Sequence, residues 1–303
     1  MSEATISTND LVQPFRIERS GLRGRLVRLG PALENILAPH DYPPEVAEML
    51  SETVALAAIL ASALKYEGIF THQTQSDGPI SLMVADVTSG GALRGYARFS
   101  RRRLAEVAAN VNGAVPRLLG AGHLAFTVDQ GPDTERYQGI TELTGATLGD
   151  CAHTYFRQSE QLETAIMLAR TPGDGDGAPR AAALTVQRLP APPGSDSEVL
   201  AEDWRRAVIL MSSITPDELL DETLSRHQLL WRLYNEDGVR VFDPSPLHHA
   251  CRCSRQKVVG TLSAFPRAEI EEMAEDNVVT VTCEFCKADY IFDSAAIDAL
   301  YRS

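Results

Sequence analysis

Cys251-Arg252-Cys253, followed after 29 residues by Cys283-Glu284-Phe285-Cys286, holds four of the five cysteines in two close pairs. Thiolates bind zinc tetrahedrally with Zn–S near ~2.3 Å, and two ligands one or two residues apart can face one ion. A second pair from a distant segment closes the tetrahedron and staples the chain between. The flanking pattern agrees. Val278 to Thr282 (VVTVT) and Tyr290 to Phe292 (YIF) read as short strands, with Cys283 to Cys286 as the turn between them. Ser254 to Ala264 and Arg267 to Glu275 read as short helices, and Pro266 opens the second where its missing N–H does no harm. His248 and His249 could replace a sulfur, but four sulfurs suffice, and the histidines are expected at a polar surface. A permanent structural zinc site is the serious alternative: the C-x-x-C half is common in zinc ribbons, whereas the C-x-C half is less so and the combination near a C-terminus is fairly specific.

Working outward, 303 residues allow two domains, one with a sizeable core, and 44% hydrophobic content is ordinary for a globular chain. The net charge of −13 makes a phosphate backbone an unfavourable partner, so no nucleic acid is expected. Residues 247–303 carry six Lys or Arg against nine Asp or Glu, which also opposes a nucleic-acid-reading zinc ribbon. The first ten residues, MSEATISTND, lack a signal pattern. The longest apolar run, Val54 to Leu64, is too short to span a bilayer, so no membrane partner is expected. Together these predict a cytoplasmic chain whose thiols stay reduced.

Residues 1–13 read as a disordered tail and 14–190 as an N-terminal core domain. Phe15 to Leu29 alternates as strand, turn, strand. Pro43-Pro44 opens a helix to about Tyr66 with a broad apolar face. Residues 69–74, 79–86, 93–99, 120–128 and 137–143 read as strands joined by Ser-Asp-Gly, Gly-Gly and Gln-Gly-Pro-Asp turns. Arg101-Arg102-Arg103 opens a helical stretch to about Asn110, and its charges are expected on a solvated face. No glycine pattern joins a strand to a helix as a phosphate loop does. Asp174-Gly175-Asp176-Gly177 lacks the closing Glu of a calcium loop and reads as a hairpin tip. Residues 147–163 read as a helix whose Leu148, Cys151, Tyr155 and Leu162 share a face. Cys151 is there a small hydrophobe, and no Ser/His/Asp nucleophile grouping is visible.

Pro190 to Ser195 marks a boundary, and 191–246 reads as a helical linker. Residues 198–214 form one helix. Thr215-Pro216-Asp217-Glu218 has a Thr cap, Pro at the first helical position and Glu at the third, and opens a second helix to about Asn235. Leu220, Leu224, His227, Trp231 and Tyr234 make its stripe, and Leu219, Leu229, Leu230 and Leu233 add apolar surface that needs a cover. His227 reads as a packing histidine. Residues 247–303 form the C-terminal zinc-binding domain. The expected class is α+β: an N-terminal core of mostly antiparallel sheet with packed helices, a helical linker and a small zinc domain.

With these parts in place the chain resembles the 33 kDa chaperonin family, the redox-regulated heat-shock holdases, from about Leu22 to Leu300. GLRGRLVRL (21–29), SDGPISLMVAD (76–86), LRGYARF (93–99), DQGPDTERYQGI (129–140), HTYFRQSEQL (153–162) and the two cysteine pairs carry the likeness. The resemblance implies one Zn2+ per reduced chain on Cys251, Cys253, Cys283 and Cys286. It implies a chaperone silent while reduced and metal-bound, and no enzymatic activity. Oxidation to 251–253 and 283–286 disulfides would release zinc and unfold the C-terminal domain and linker. The protein would then hold unfolding clients without ATP, and the oxidised form would be a homodimer. Cys151 is outside the family's metal motif.

Physical chemistry permits such a switch. Fifty-seven residues are marginal for a self-sufficient core, and a four-thiolate zinc site contributes roughly 10–16 kcal/mol of folding free energy. Disulfides across one or two residues close tiny loops and restrain the unfolded chain little. The competing reading is a zinc-stapled thiol oxidoreductase or transferase. It needs an open metal position or a pocket with acid and base groups, and the sequence displays neither.

Overall fold

In the computed structural model, the described residues are 9–107, 113–131, 134–160, 162–173, 177–190 and 196–301. The chain divides into two compact units on either side of the His249–Ala250 bond.

In chain order the first unit contains β1 (Leu11–Ile17), β2 (Arg23–Leu29), α1 (Pro31–Leu37), α2 (Pro44–Ala61), β3 (Ile69–Ser76), β4 (Ile80–Thr88) and β5 (Ala92–Phe99). There follow α3 (Arg101–Glu106), β6 (Gly122–Asp129), β7 (Tyr137–Glu142), α4 (Leu148–Tyr155), β8 (Thr164–Thr171) and β9 (Arg180–Gln187). The last part is α5 (Ser197–Ser212), α6 (Pro216–Leu220), α7 (Arg226–Tyr234), β10 (Val239–Val241), β11 (Ser245–Pro246) and β12 (His248–His249). The second unit has α8 (Arg255–Leu262), α9 (Arg267–Glu272), β13 (Val278–Thr282), β14 (Asp289–Asp293) and α10 (Ser294–Leu300). The protein is therefore α+β, with sheets that are antiparallel except for the short β12–β5 pairing.

Two sheets build the first unit. One runs β10-β1-β2-β9-β8 with β11 also on β1, and the other runs β12-β5-β4-β3-β6-β7. The face expected on α2 proves to be a whole circumference, for Met49 to Ala61 are buried without a break. A helix buried all round belongs inside, and α2 packs against strands of both sheets in one core, its buried Glu52 paired with Arg170. Its two buried hydroxyls bond back to the helix, Ser51 to the Ala47 carbonyl at 2.6 Å and Thr53 to the Met49 carbonyl at 2.8 Å.

Successive side chains on a strand point to opposite faces. Val27 and Leu29 join the core around α2, whereas Leu26 joins a second core on the other face. Phe15, Ile17, Leu184 and Val186 share that second face, and Leu219, Leu229, Leu230 and Tyr234 of the helical segment cover it. The apolar surface of 198–235 thus finds its cover on the β1-β2-β9-β8 sheet within the first unit. Gly24 sits opposite Phe15, and a Cβ at Gly24 would lie 2.0 Å from the Phe15 ring. The bare glycine lets the ring lie flat on β2 and stack on Tyr234, with centroids 5.8 Å apart.

Three expectations are corrected. Residues 1–8 lie outside the described residues, but β1 begins at Leu11, inside the stretch read as a disordered tail, because Val12 and Gln13 are buried and the strand pairs with β2. The single helix expected from Thr215 to Asn235 is two. Asp221 accepts from the Thr223 amide at 2.8 Å and its hydroxyl at 2.7 Å, closing a turn, and Ser225 with Gln228 forms a new capping box. That restart changes the phase, so α7 buries Leu229, Leu230, Leu233 and Tyr234 while Trp231 is 62% exposed. Third, α4 ends at Tyr155 and the chain continues as one wide turn, Phe156–Glu160, so the predicted run to 163 is shorter. The tip at 174–176, the boundary at 191–195 and the end of the helix expected to reach Asn110 fall outside the described residues.

Candidate metal centre

Cys251 and Cys253 lie in the extended stretch leading into α8, whose first turn Ser254 caps by accepting from the Lys257 amide at 3.3 Å. Cys283 and Cys286 occupy the turn between β13 and β14. There the Lys287 amide donates to the Cys283 carbonyl and the Cys283 amide to the Ala288 carbonyl, both at 2.9 Å. Lys287 takes the left-handed conformation, φ 57°, that reverses the chain in so few residues. Strand pairing from Val278↔Asp293 to Thr282↔Asp289 holds the turn open toward the other pair. Arg255 stacks on Phe292 at 4.3 Å and donates to the Ile291 carbonyl at 2.9 Å, fixing the start of α8 against β14.

The four sulfurs all lie within 4.8 Å of one another. Cys251 Sγ is 3.8 Å from Cys283 Sγ, and Cys253 Sγ is 3.4 Å from Cys286 Sγ. Tetrahedral Zn–S bonds of about 2.3 Å place sulfurs about 3.8 Å apart, so the donor set fits one thiolate-bound metal. Among the described residues this is the one such cluster of His, Cys, Asp or Glu ligand atoms. All five cysteines are free.

The electrostatics point the same way. Burial opposes ionisation of Cys251, but hydrogen bonds from the Cys253 main chain and the neighbouring thiols bring its pKa below the ordinary value. Cys286 is pushed up, first by burial and then by the sulfurs around it. Ionisation is thus eased at Cys251 and resisted at Cys253 and Cys286, as expected of neighbouring acids that share a site. Tyr290, read from the sequence only as a strand residue, hydrogen-bonds Cys253.

Other sequence candidates sit apart from this chemistry. Cys151 is fully buried on α4, and burial pushes its thiol up to about 11, as suits an inert hydrophobe. His153 Nδ1 contacts the Thr164 carbonyl at 2.8 Å, and His227 Nε2 lies 3.2 Å from Gln13 Oε1. His248 and His249 form β12, pairing with Ala92 and Leu93 of β5, a role no periodicity of two residues can announce.

Among the described residues, the second unit's own core is five buried side chains, Leu262, Ile270, Val279, Phe292 and Ile297, with partly buried neighbours around them. No helix among the described residues is long and apolar enough to cross a membrane.

A family profile described as "Hsp33 protein" matches residues 10–293. The 33 kDa chaperonin of Caulobacter vibrioides is 43% identical over 290 residues, covering 94% of this chain and 95% of the relative. That of Azotobacter vinelandii is 37% identical over 298 residues, covering 98% and 96%. The crystal structure of a 33 kDa chaperonin from Thermotoga maritima superposes with a TM-score of 0.79 at 21% identity, covering 96% of this chain and 98% of that one, a likeness of fold.

Proposed function

The chain belongs to the Hsp33 protein family, and from that premise we propose that it is a redox-controlled holdase chaperone, not an enzyme, that binds unfolding proteins without ATP. Cys251, Cys253, Cys283 and Cys286 hold one Zn2+ when reduced, and 247–303 is the redox-switch domain that this ion folds. Zinc supplies the positive charge that lets four thiolates share one site. The observation that carries the reading is the pairing of four convergent sulfurs with a core of only five buried side chains. Such a unit depends on its metal for stability.

Peroxide is the oxidant class that the thiolates meet. In each close pair, 251–253 and 283–286, the two sulfurs give two electrons to one peroxide molecule. An S–S bond forms, the O–O bond breaks, and two waters leave with two added protons. Two pairs consume two peroxides, and the metal loses its anionic ligands. The small loops so closed restrain the chain weakly, so 247–303 unfolds, and α5–α7 in the linker then leave the sheet. At ~25 cal/mol per Å2, exposing ~500 Å2 of apolar surface costs about 12 kcal/mol, recoverable by binding a client's exposed apolar segments. The relatives' names as chaperonins support this reading, and the negative charge disfavours nucleic acid. Cytoplasmic reducing conditions would keep the protein silent, and the oxidised form is a homodimer.

The test compares reduced, zinc-loaded protein with peroxide-treated protein at mild heat, by light scattering of a thermally unfolding client. Suppression by the oxidised form alone is expected. Equal suppression by both forms refutes the switch.

A further inference from the structure

The face of the β1-β2-β9-β8 sheet under α5–α7 buries two polar side chains among its apolar ones, Gln13 of β1, which meets His227 at 3.2 Å, and the charged Arg28 of β2, 2% exposed. Its guanidinium reaches main-chain carbonyls. Nε donates to Leu219 at 2.8 Å, Nη1 to Leu224 at 2.6 Å and Nη2 to Glu218 at 3.2 Å. Glu218 and Leu219 lie at the C-terminal end of α6, where carbonyls have no partner within the helix and the helix dipole is negative. Leu224 precedes the cap of α7. One planar fork thus clasps the end of one helix and the start of the next, a geometry lysine cannot reproduce.

We propose that Arg28 is the positioning residue that clasps the α6–α7 junction to the sheet, a second lock on the covered face distinct from the four-sulfur site. A cation buried on an apolar face is tolerated only while all its donors are matched. In the closed arrangement the carbonyls of Glu218, Leu219 and Leu224 give each of its three nitrogens a partner. Once the helices lift, water hydrates the guanidinium, so the clasp can be released and closed again. Arg28 therefore holds the cover in one register without making it permanent. That the covered face serves clients rests on the function proposed above.

The experiment is hydrogen exchange on full-length, reduced, zinc-loaded Arg28→Met, with metal content and client light scattering measured on the same sample. Amides of Leu219 and Leu229, which bond the Thr215 and Ser225 carbonyls, are expected to exchange about tenfold faster or more, since three bonds to a charged donor are lost. Amides in α2 and the one-zinc stoichiometry stay as in the parent. Unchanged or slower exchange at Leu219 and Leu229 overturns the proposal. Where Arg28→Met does not fold, Arg28→Lys is read identically; its charge without the fork is expected to give an intermediate rate, and a parental rate overturns the proposal. Faster exchange with suppression of aggregation before oxidation supports both the clasp and the chaperone reading. Faster exchange with no suppression supports the clasp and counts against the covered face as the client-holding surface.

Discussion

Cys253 Sγ lies 3.4 Å from Cys286 Sγ although 33 positions separate them in the chain. One sulfur comes from the stretch entering α8 and the other from the β13–β14 turn, so their approach requires both elements to be folded. The dependence also runs in reverse: whatever holds the sulfurs together holds the two elements together.

Cys286→Ser should lower zinc content below one per reduced chain, because a hydroxyl does not replace a thiolate on this metal. Cys151→Ser should leave it at one, since that side chain sits in the core around α2. A colorimetric chelator assay after denaturation reads both, and zinc loss in the Cys151 variant would reject the ligand assignment.

Stripping the metal from reduced protein should unfold residues 250–303 and leave α2 intact, the ion being worth roughly 10–16 kcal/mol to such a site. The readout is loss of amide dispersion or protection confined to the second unit. Zinc should also be held less tightly as pH falls, because protons compete for the thiolates. A second unit that stays protected without metal would contradict this account.

Leu230→Ala should cost about 2–5 kcal/mol, for the side chain is fully buried between α7 and the sheet. Trp231→Ala, one residue on but 62% exposed, should stay within about 0.5 kcal/mol. Urea denaturation of the two variants measures the difference, and a larger loss from the tryptophan would mean that the phase of α7 is wrong.

His72 is buried inside the core around α2. Its Nδ1 lies 3.3 Å from the Thr53 carbonyl, Nε2 has no hydrogen-bond partner, and burial lowers its pKa from 6.5 to about 4. Between these values the unfolded chain binds the proton and the folded chain does not. Stability is therefore full above pH 6.5, falls as pH drops toward 4, and changes no further through this group below that. The loss is about 3 kcal/mol. His72→Leu should flatten that part of the stability–pH curve, measured by urea titration from pH 4 to 7; an unchanged slope would sink the assignment.

Much of this was legible in the chain itself. Alternation over 15–29 located β2, and short apolar runs between turn residues located β3 through β7. The capping signals at Thr215 and before α2 were readable because caps are local chemistry. The spacing of the cysteines pointed to the cluster of four sulfurs, since two ligands one or two residues apart can face one ion. Illegible parts share a cause. The break at Asp221 depends on a side-chain turn competing with helix continuation. The two-residue strands at Ser245 and His248 are too short to carry a period. Gly24 and Arg28 declare their roles only against Phe15 and the α6 carbonyls.

Local sequence thus sufficed for most of the elements and for the close pairing of the cysteines, since each depends on neighbours within a few residues. Which apolar faces meet was settled by the fold: α2 enclosed by two sheets, α5–α7 lying on the back of one, a guanidinium clasping helix ends almost 200 positions away. Such pairings are set by burial and hydrogen-bond satisfaction between segments remote in sequence, and no short window of residues contains both partners.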